Sequence, residues 1–452
     1  MPTATGVLFF CCGAYYFLCK EEGLLGLLII AIGFEASSAV NIADRGIQPY
    51  YVVALWIILR AIVNRALGTS SNAPMPEGRW LLLFGAIAIV SALVYPLLFA
   101  GIPVYEPKIG IDDGLFIRPP LRFGLNNLAQ AGFLACHICV LYALLCLRVS
   151  AKKARKAYVV TFYIVGAVVF VQCLCQLFGI PFPYRLLLNN PGQSVWDASG
   201  TVAGTRNPGT FSEPSLVGGF MLLYCIGFIA EYFAGKGRPA RILVALAATG
   251  AIASSGSIFI LLLFIILLAI RYSPFRFPWY LSMRRSRKLA WILVLLVMPA
   301  MLVITVSPTY RAILTLQTVS KSDSGSFINR SASDVYALQL LAQTYGVGVG
   351  IGSNRASSML ASLFSTVGIA GVLAFGMFYV RLFASLSDED AWLRWAAFAL
   401  LANMCLDISD VTMPMLWLPT LLAIAFRTER KVFDRLPNRK MVAIATHETY
   451  PA

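Results

Sequence analysis

Histidine is nearly missing from this chain. Among 452 residues only His137 and His447 occur, too few for histidine-based acid–base chemistry or a multi-histidine metal site. Charge is scarce too, at 13% of residues against 59% hydrophobic. Mean hydropathy is +0.76, more apolar surface than one soluble core can hide, so a bilayer is its natural solvent. No separate soluble domain is legible: residues 1–452 read as a single integral membrane domain, whose longest segment without an apolar span is 308–356. The ten cysteines all lie inside apolar runs, so no disulfide framework is implied. The CHIC of Cys136 to Cys139 is embedded in GFLACHICVLYALLCL; it reads as small apolar residues of a buried helix, with His137 turned toward a helix neighbour.

What charge there is has a pattern. The net charge is +15, and the basic residues gather in RVSAKKARK (148–156), GKGRPAR (235–241), RYSPFRFPWYLSMRRSRK (271–288) and RTERKVFDRLPNRK (427–440). Short basic loops between apolar runs orient a membrane protein toward the cytoplasm and need no nucleic-acid partner. MPTATGVLFFCCGAYYFLC has no basic segment before it and is expected to be a retained span. The fold class is therefore an all-α polytopic membrane protein with about 12–13 transmembrane helices. The expected spans are 4–19, 23–41, 47–63, 80–100, 125–147, 157–179, 213–234, 242–254, 257–271, 290–307, 357–380, 391–407 and 412–427. The short pair around SSGS (254–257) forms a hairpin.

This alternation sends four polar stretches to the outer face: 101–124, 180–212, the long 308–356 loop and DISD at 407–410. They hold Arg118, Arg122, Arg185, Arg206, Arg311, Arg330 and Arg355, on the side where the topology rule depletes positive charge. Arginine grips phosphate oxygens with a planar fork, so this face looks built to hold an anion beside lipid. In the long loop, SASD (331–334) reads as a capping box with Ser331 as cap and Asp334 in the glutamate position. VYALQLLAQ follows, with Val335, Leu338 and Leu341 as an apolar stripe suited to the membrane surface. YGVGVGIGSNRASS then carries glycines 346, 348, 350 and 352, read as a tight turn with close backbone packing. Asp112 and Asp113 are adjacent and suit a cation, but no further ligand spacing accompanies them.

TRNPGTFSEPSLVGGF, Thr205 to Phe220, opens a span with an arginine, a glutamate and two prolines. Pro214 fits a first helical turn, Ser212 an N-cap, and Glu213 the positive end of the dipole. One reading is capping plus an Arg206–Glu213 ion pair. The other gives Arg206 a phosphate and Glu213 a proton.

The R-x-x-G-x-F-x-E-P of Arg206 to Pro214, the serine-turn hairpin and a long loop ending in G-x-G-x-G resemble the O-antigen ligase and Wzy-type polysaccharide polymerase superfamily. The resemblance covers roughly the second half of the chain and the span pattern. It implies a GT-C-like bundle with a long helical periplasmic loop, in a bacterial inner (cytoplasmic) membrane, with the active site facing the periplasm. It also implies glycan transfer from an undecaprenyl diphosphate carrier, without metal or other cofactor, and a chain-length regulator protein as partner. Arg206 would contact the diphosphate, with Arg311 or Arg330 beside it; Arg122, Arg355 and Tyr336 complete the substrate-binding set. Glu213 is the expected base and Asp334 the second choice. Tyr336 and Tyr345 would stack on sugar rings or, as residues of a loop helix, serve packing. Asp407 and Asp410 would meet sugar hydroxyls or mark a solvated turn. Two departures bear on the branch. Ile258 follows the serine turn where many relatives carry arginine, and NRASSML has no histidine after the glycines. The missing histidine favours a polymerase over a ligase that moves finished glycan onto lipid A core or protein. A transporter or flippase of lipid-linked sugars is the rival of another class.

Overall fold

The computed structural model describes residues 1–42, 45–70, 75–105, 117–191, 207–252, 255–272 and 325–434. The expected span 290–307, and the site residues Arg206 and Arg311, lie outside them. The described chain is mostly helical with one small hairpin of strands. In order come α1 (Ala4–Cys19), α2 (Glu22–Ile32), β1 (Val40–Ile42), β2 (Arg45–Ile47), α3 (Pro49–Ala66), α4 (Gly78–Leu98), α5 (Leu125–Leu144) and α6 (Ala151–Leu177). Then follow α7 (Tyr184–Leu187), α8 (Pro214–Phe233), α9 (Pro239–Ile252), α10 (Ser255–Arg271), α11 (Gly325–Gln343), α12 (Met359–Ala384), α13 (Ala391–Asp407) and α14 (Pro414–Asp434). Among the described residues, five helices are long and apolar enough to cross a membrane: α4, α5, α6, α8 and α12.

Helix α8 is the axis of the bundle. It is apolar on every side and buried along almost its whole length, as a helix without a polar face must be. Its glycines let neighbours approach. A Cβ on Gly219 would stand 2.6 Å from the Asn403 amide nitrogen, and one on Gly227 3.1 Å from the Tyr158 hydroxyl. Small residues at crossings are how helices pack when lipid removes the hydrophobic drive between them. Peripheral helices show the complement: Leu82, Leu83, Val90, Val94 and Leu97 on α4, and Leu262, Ile266 and Ile270 on α10, are exposed. Such apolar faces require lipid.

Cross-chain bonds sort the loops onto two ends. At one end Arg60 pairs with Glu21 at 2.9 Å, Arg155 with Glu231 at 2.7 Å and Arg427 with Glu77 at 2.7 Å, while Lys153 pairs with Glu22. Burial works against the charge of Glu21, yet hydrogen bonds from Asn64, Arg60 and the Arg148 N–H hold its pKa below the usual value. The other end gathers the starts of α3, α5, α8, α12 and α14, bonded to one another as described below.

Several expectations need correction. The span 23–41 is not continuous: α2 stops at Ile32, and β1 and β2 pair antiparallel with Val40 opposite Ile47. Helix α6 starts six residues before the expected 157, because Ser150 caps it through the Lys153 N–H. Ser331 and Asp334 cap nothing at their own position, since α11 already begins at Gly325. Glu213, not Ser212, is the N-cap residue of α8, with Pro214 in the first turn.

The glycine turn after α11 packs as its composition suggests, and repairs a break nobody would read from sequence. Within α12, Gly368 has φ 70° and ψ −172°, which frees the carbonyls of the turn before it. Val349 N–H donates to Ser365 O at 2.7 Å and Gly350 N–H to Thr366 O at 3.0 Å, while Ile369 N–H donates to Gly346 O at 2.9 Å. The broken helix thus recovers its hydrogen bonds from the loop.

Candidate functional site

The loop between α13 and α14, residues 408–413, is the hub of the polar end. At its edge Asp407 forms an ion pair with Arg330 of α11. Asp410 accepts from the Thr412 N–H and hydroxyl, each at 2.7 Å, and the Thr412 hydroxyl lies 2.8 Å from Gln130 Oε1. The Thr412 carbonyl receives Tyr51 Oη at 3.3 Å and lies 2.7 Å from His137 Nε2. His137 also lies 2.8 Å from the Tyr50 hydroxyl and stacks on Trp417, so it faces helix neighbours as expected. Burial raises the Asp410 carboxyl above its ordinary value, opposed by the Thr412 and Gln130 hydrogen bonds and by the charge of Arg355. Ile408 packs beside Gly219, near the opening of α8.

Glu213 stands at that opening, partly buried, with the Ser215 hydroxyl 3.2 Å from one carboxylate oxygen. Behind it lies Glu35, which the sequence places near the end of a span and gives no role in the site. Glu35 is only 5% exposed and accepts from the Ser212 N–H at 2.9 Å, the Ser212 hydroxyl at 3.2 Å and Gln48 Nε2 at 3.4 Å. The segment around it is fastened on both sides. Ala36 N–H donates to Thr210 O at 3.1 Å and Asn190 N–H to Ala36 O at 3.2 Å. Gly33, which ends α2, was the available signal that an apolar run read as one span stops before Glu35.

The remaining expected residues divide by environment. Asp334 Oδ1 accepts from the N–H groups of Ser357 and Ser358, at 2.7 and 3.0 Å. Its carboxylate thus holds α11 to the start of α12. Tyr336 is buried, donates to Pro103 O at 2.6 Å and lies under the Arg118 guanidinium, 4.0 Å from the ring centre. Tyr105 meets the same ring edge-on, so packing partners occupy Tyr336, whereas Tyr345 is 92% exposed with φ 53°. Burial raises the Tyr336 phenol and Arg118 opposes the shift. The Arg355 N–H donates to Tyr105 O at 2.9 Å. Arg122 is exposed on a groove formed by residues 119–127 and the glycine turn at Gly352 and Ser353. The groove's two sides are joined: Asn127 Nδ2 donates to Ile351 O at 2.8 Å and to Ser353 Oγ at 2.7 Å.

So the structure brings Arg330 and Arg355 to the turn that holds Asp407 and Asp410, leaves Glu213 at the start of α8 at the same end of the bundle, and sets Asp334 and Tyr336 into the framework. Asp112 and Asp113 fall outside the described residues. Among those described, no three of histidine, cysteine, aspartate and glutamate come together as a metal ion needs. No family model matches the chain, and no curated protein matches it either.

Proposed function

We propose that the protein polymerises lipid-linked oligosaccharide repeat units into a polysaccharide, such as an O-antigen or exopolysaccharide, at the outer leaflet of a bacterial inner membrane. The observation that carries the reading is the polar end itself. A partly buried carboxylate opens the most enclosed helix, Glu213 on α8. The hub loop beside that helix takes the arginine of the long-loop helix, Arg330, and the charge of Arg355.

The chemistry is one inverting displacement. Glu213 removes the proton from a hydroxyl of the incoming repeat unit. That oxygen attacks the anomeric carbon of the growing glycan as the bond to diphosphate breaks, and undecaprenyl diphosphate leaves with both bonding electrons. Arg206, Arg330 and Arg355 balance the charge that builds on it, with Arg311 from the long loop and Arg122 at the groove as further contacts. Each charge-assisted contact contributes about 2–4 kcal/mol in the transition state. Asp334, the second candidate for the base, is set aside because it already accepts two backbone N–H groups. The missing histidine after the glycines is what favours the polymerase over the ligase.

The test is polymerisation of a purified lipid-diphosphate repeat unit by wild type, Arg206→Ala and Glu213→Gln in the presence of EDTA. Ladders are expected from wild type alone, with Glu213→Gln slower by about 10²–10⁴-fold while remaining folded and monodisperse. A folded Glu213→Gln variant as fast as wild type sinks the assignment of the base. A wild type that moves the lipid across vesicles without extending it turns the reading toward transport.

A further inference from the structure

The ion pair between Arg330 and Asp407 joins two groups of unequal access: the arginine side chain is 37% exposed and the aspartate 13%. Asp407 also lies against the first turn of α10. A Cβ on Gly256 would stand 3.2 Å from Asp407 Oδ2, so the missing side chain is what allows the carboxylate in. A first helical turn presents backbone N–H groups with no partner in the helix, and with them the positive end of the dipole. One turn back on α13, Asn403 is fully buried; its Oδ1 accepts from Ser257 Oγ at 3.1 Å, while its Nδ2 has no partner. Asp407, paired with Arg330, thus brings a carboxylate to the junction of α10 and α13. A carboxylate on a guanidinium has the geometry that a phosphate has there.

We propose that Asp407 is a built-in substitute for phosphate: it holds Arg330 in place until the diphosphate of the lipid-linked substrate displaces it. The inference rests on the polymerase reading and adds a latch to its site. In the resting protein Arg330 is kept ordered and its charge matched. On binding, the more highly charged diphosphate takes the guanidinium, and the Asp407 carboxylate turns to water. The exchange subtracts from substrate affinity whatever the ion pair was worth.

Asp407→Asn keeps the size of the side chain and removes its charge. With the full-length protein in nanodiscs, Asp407→Asn is expected to bind undecaprenyl diphosphate about fivefold tighter than wild type, the upper range for a partly exposed pair. Inorganic pyrophosphate is expected to show the same gain, which places the effect at the headgroup rather than the lipid tail. The KM for the donor falls to match while kcat does not rise. In an Arg330→Ala background the gain disappears. Asp407→Ser serves as a second, smaller variant, with monodispersity and thermal midpoint checked for each. Equal or weaker binding by Asp407→Asn, or a gain that survives Arg330→Ala, overturns the latch. The two ideas fail separately. A wild type that makes polymer without any gain in Asp407→Asn refutes the latch alone. A gain of the expected size in a protein that never extends a repeat unit refutes the polymerase and leaves a diphosphate-exchange site.

Discussion

Asp334 decides between two roles that a carboxylate can have at this end of the bundle. Its Oδ1 receives two backbone N–H groups, from Ser357 and Ser358, just ahead of the first turn of α12. Ser358 itself caps that helix through the Ala361 N–H. A hydrogen bond to a partly exposed group contributes about 1 kcal/mol net, more when charged, so the pair should be worth about 2 kcal/mol. Asp334→Ala loses it. Asp334→Asn keeps an acceptor oxygen in the same place, and asparagine is as good a helix cap as aspartate, so its loss should stay near ~0.5 kcal/mol. Reversible unfolding in mild detergent gives the stability order, expected as wild type, then Asn, then Ala. The polymerisation assay gives the second axis: Asp334→Asn should remain within about threefold of wild type, since an amide still caps but takes no proton. Two results would refute the argument. If Asp334→Asn is as stable as wild type yet loses about 10²-fold or more in rate, Asp334 is the proton acceptor. If Asp334→Ala costs no stability, the two bonds do not hold the loop helix to the bundle.

Gly350→Ala should destabilise by about 3 kcal/mol or more, because its φ is 99° and a Cβ would stand 2.4 Å from the Ser91 carbonyl oxygen; Gly376→Ala in α12, where the space is open, should be neutral or stabilising in the same unfolding assay. Asp410 predicts a pH effect. Burial raises its pKa above the ordinary 3.8, so the folded state binds the proton more tightly than the unfolded chain. Its stabilising effect is full below 3.8 and is lost as pH rises through the elevated value. Asp410→Asn should therefore gain stability relative to wild type between acid and neutral pH; a difference that does not change with pH would rule out this origin.

Apolar run lengths showed most of the helices, and basic loops the end at which each turns. Helix ends were harder wherever a polar partner lay far away in the chain. Ser212 has the right chemistry for an N-cap, but Glu35 takes both its N–H and its hydroxyl, and the cap moves to Glu213. The capping-box pattern at Ser331 failed for a related reason. Helix α11 runs straight through it from Gly325, and Asp334 finds its donors at the start of the next helix instead. The break at Gly368 looks in sequence like any glycine of a membrane helix; only the carbonyls waiting in the glycine turn make it affordable. At Glu35 the one local sign that GFEASS is a loop and not the end of a span is Gly33, which ends α2.

Where the polar groups lie also separates chemistry at the surface from passage through the membrane. A transporter needs polar or charged groups along its spans, facing a path. Among the described residues, Glu231 lies at the basic end, closed by Arg155. Hydroxyls within the helices are largely spent on their own turns: Thr161 donates to Ala157 O, Thr249 to Ala245 O and Ser91 to Ala88 O, each at 2.8 Å. Gln172, near the end of α6, is fully engaged with Gly209, donating to its carbonyl and accepting its N–H at 2.9 Å. Among the described residues, the buried polar side-chain atoms without a partner are Asn403 Nδ2, which faces Gly219 one turn below Asp407, Tyr224 Oη midway along α8, Asn41 Oδ1, Asn207 Oδ1 and the Trp80 and Trp392 indole nitrogens. Glu213, Arg330 and Arg355 stand at the polar end rather than within the spans, which favours a reaction carried out at one face over a route across.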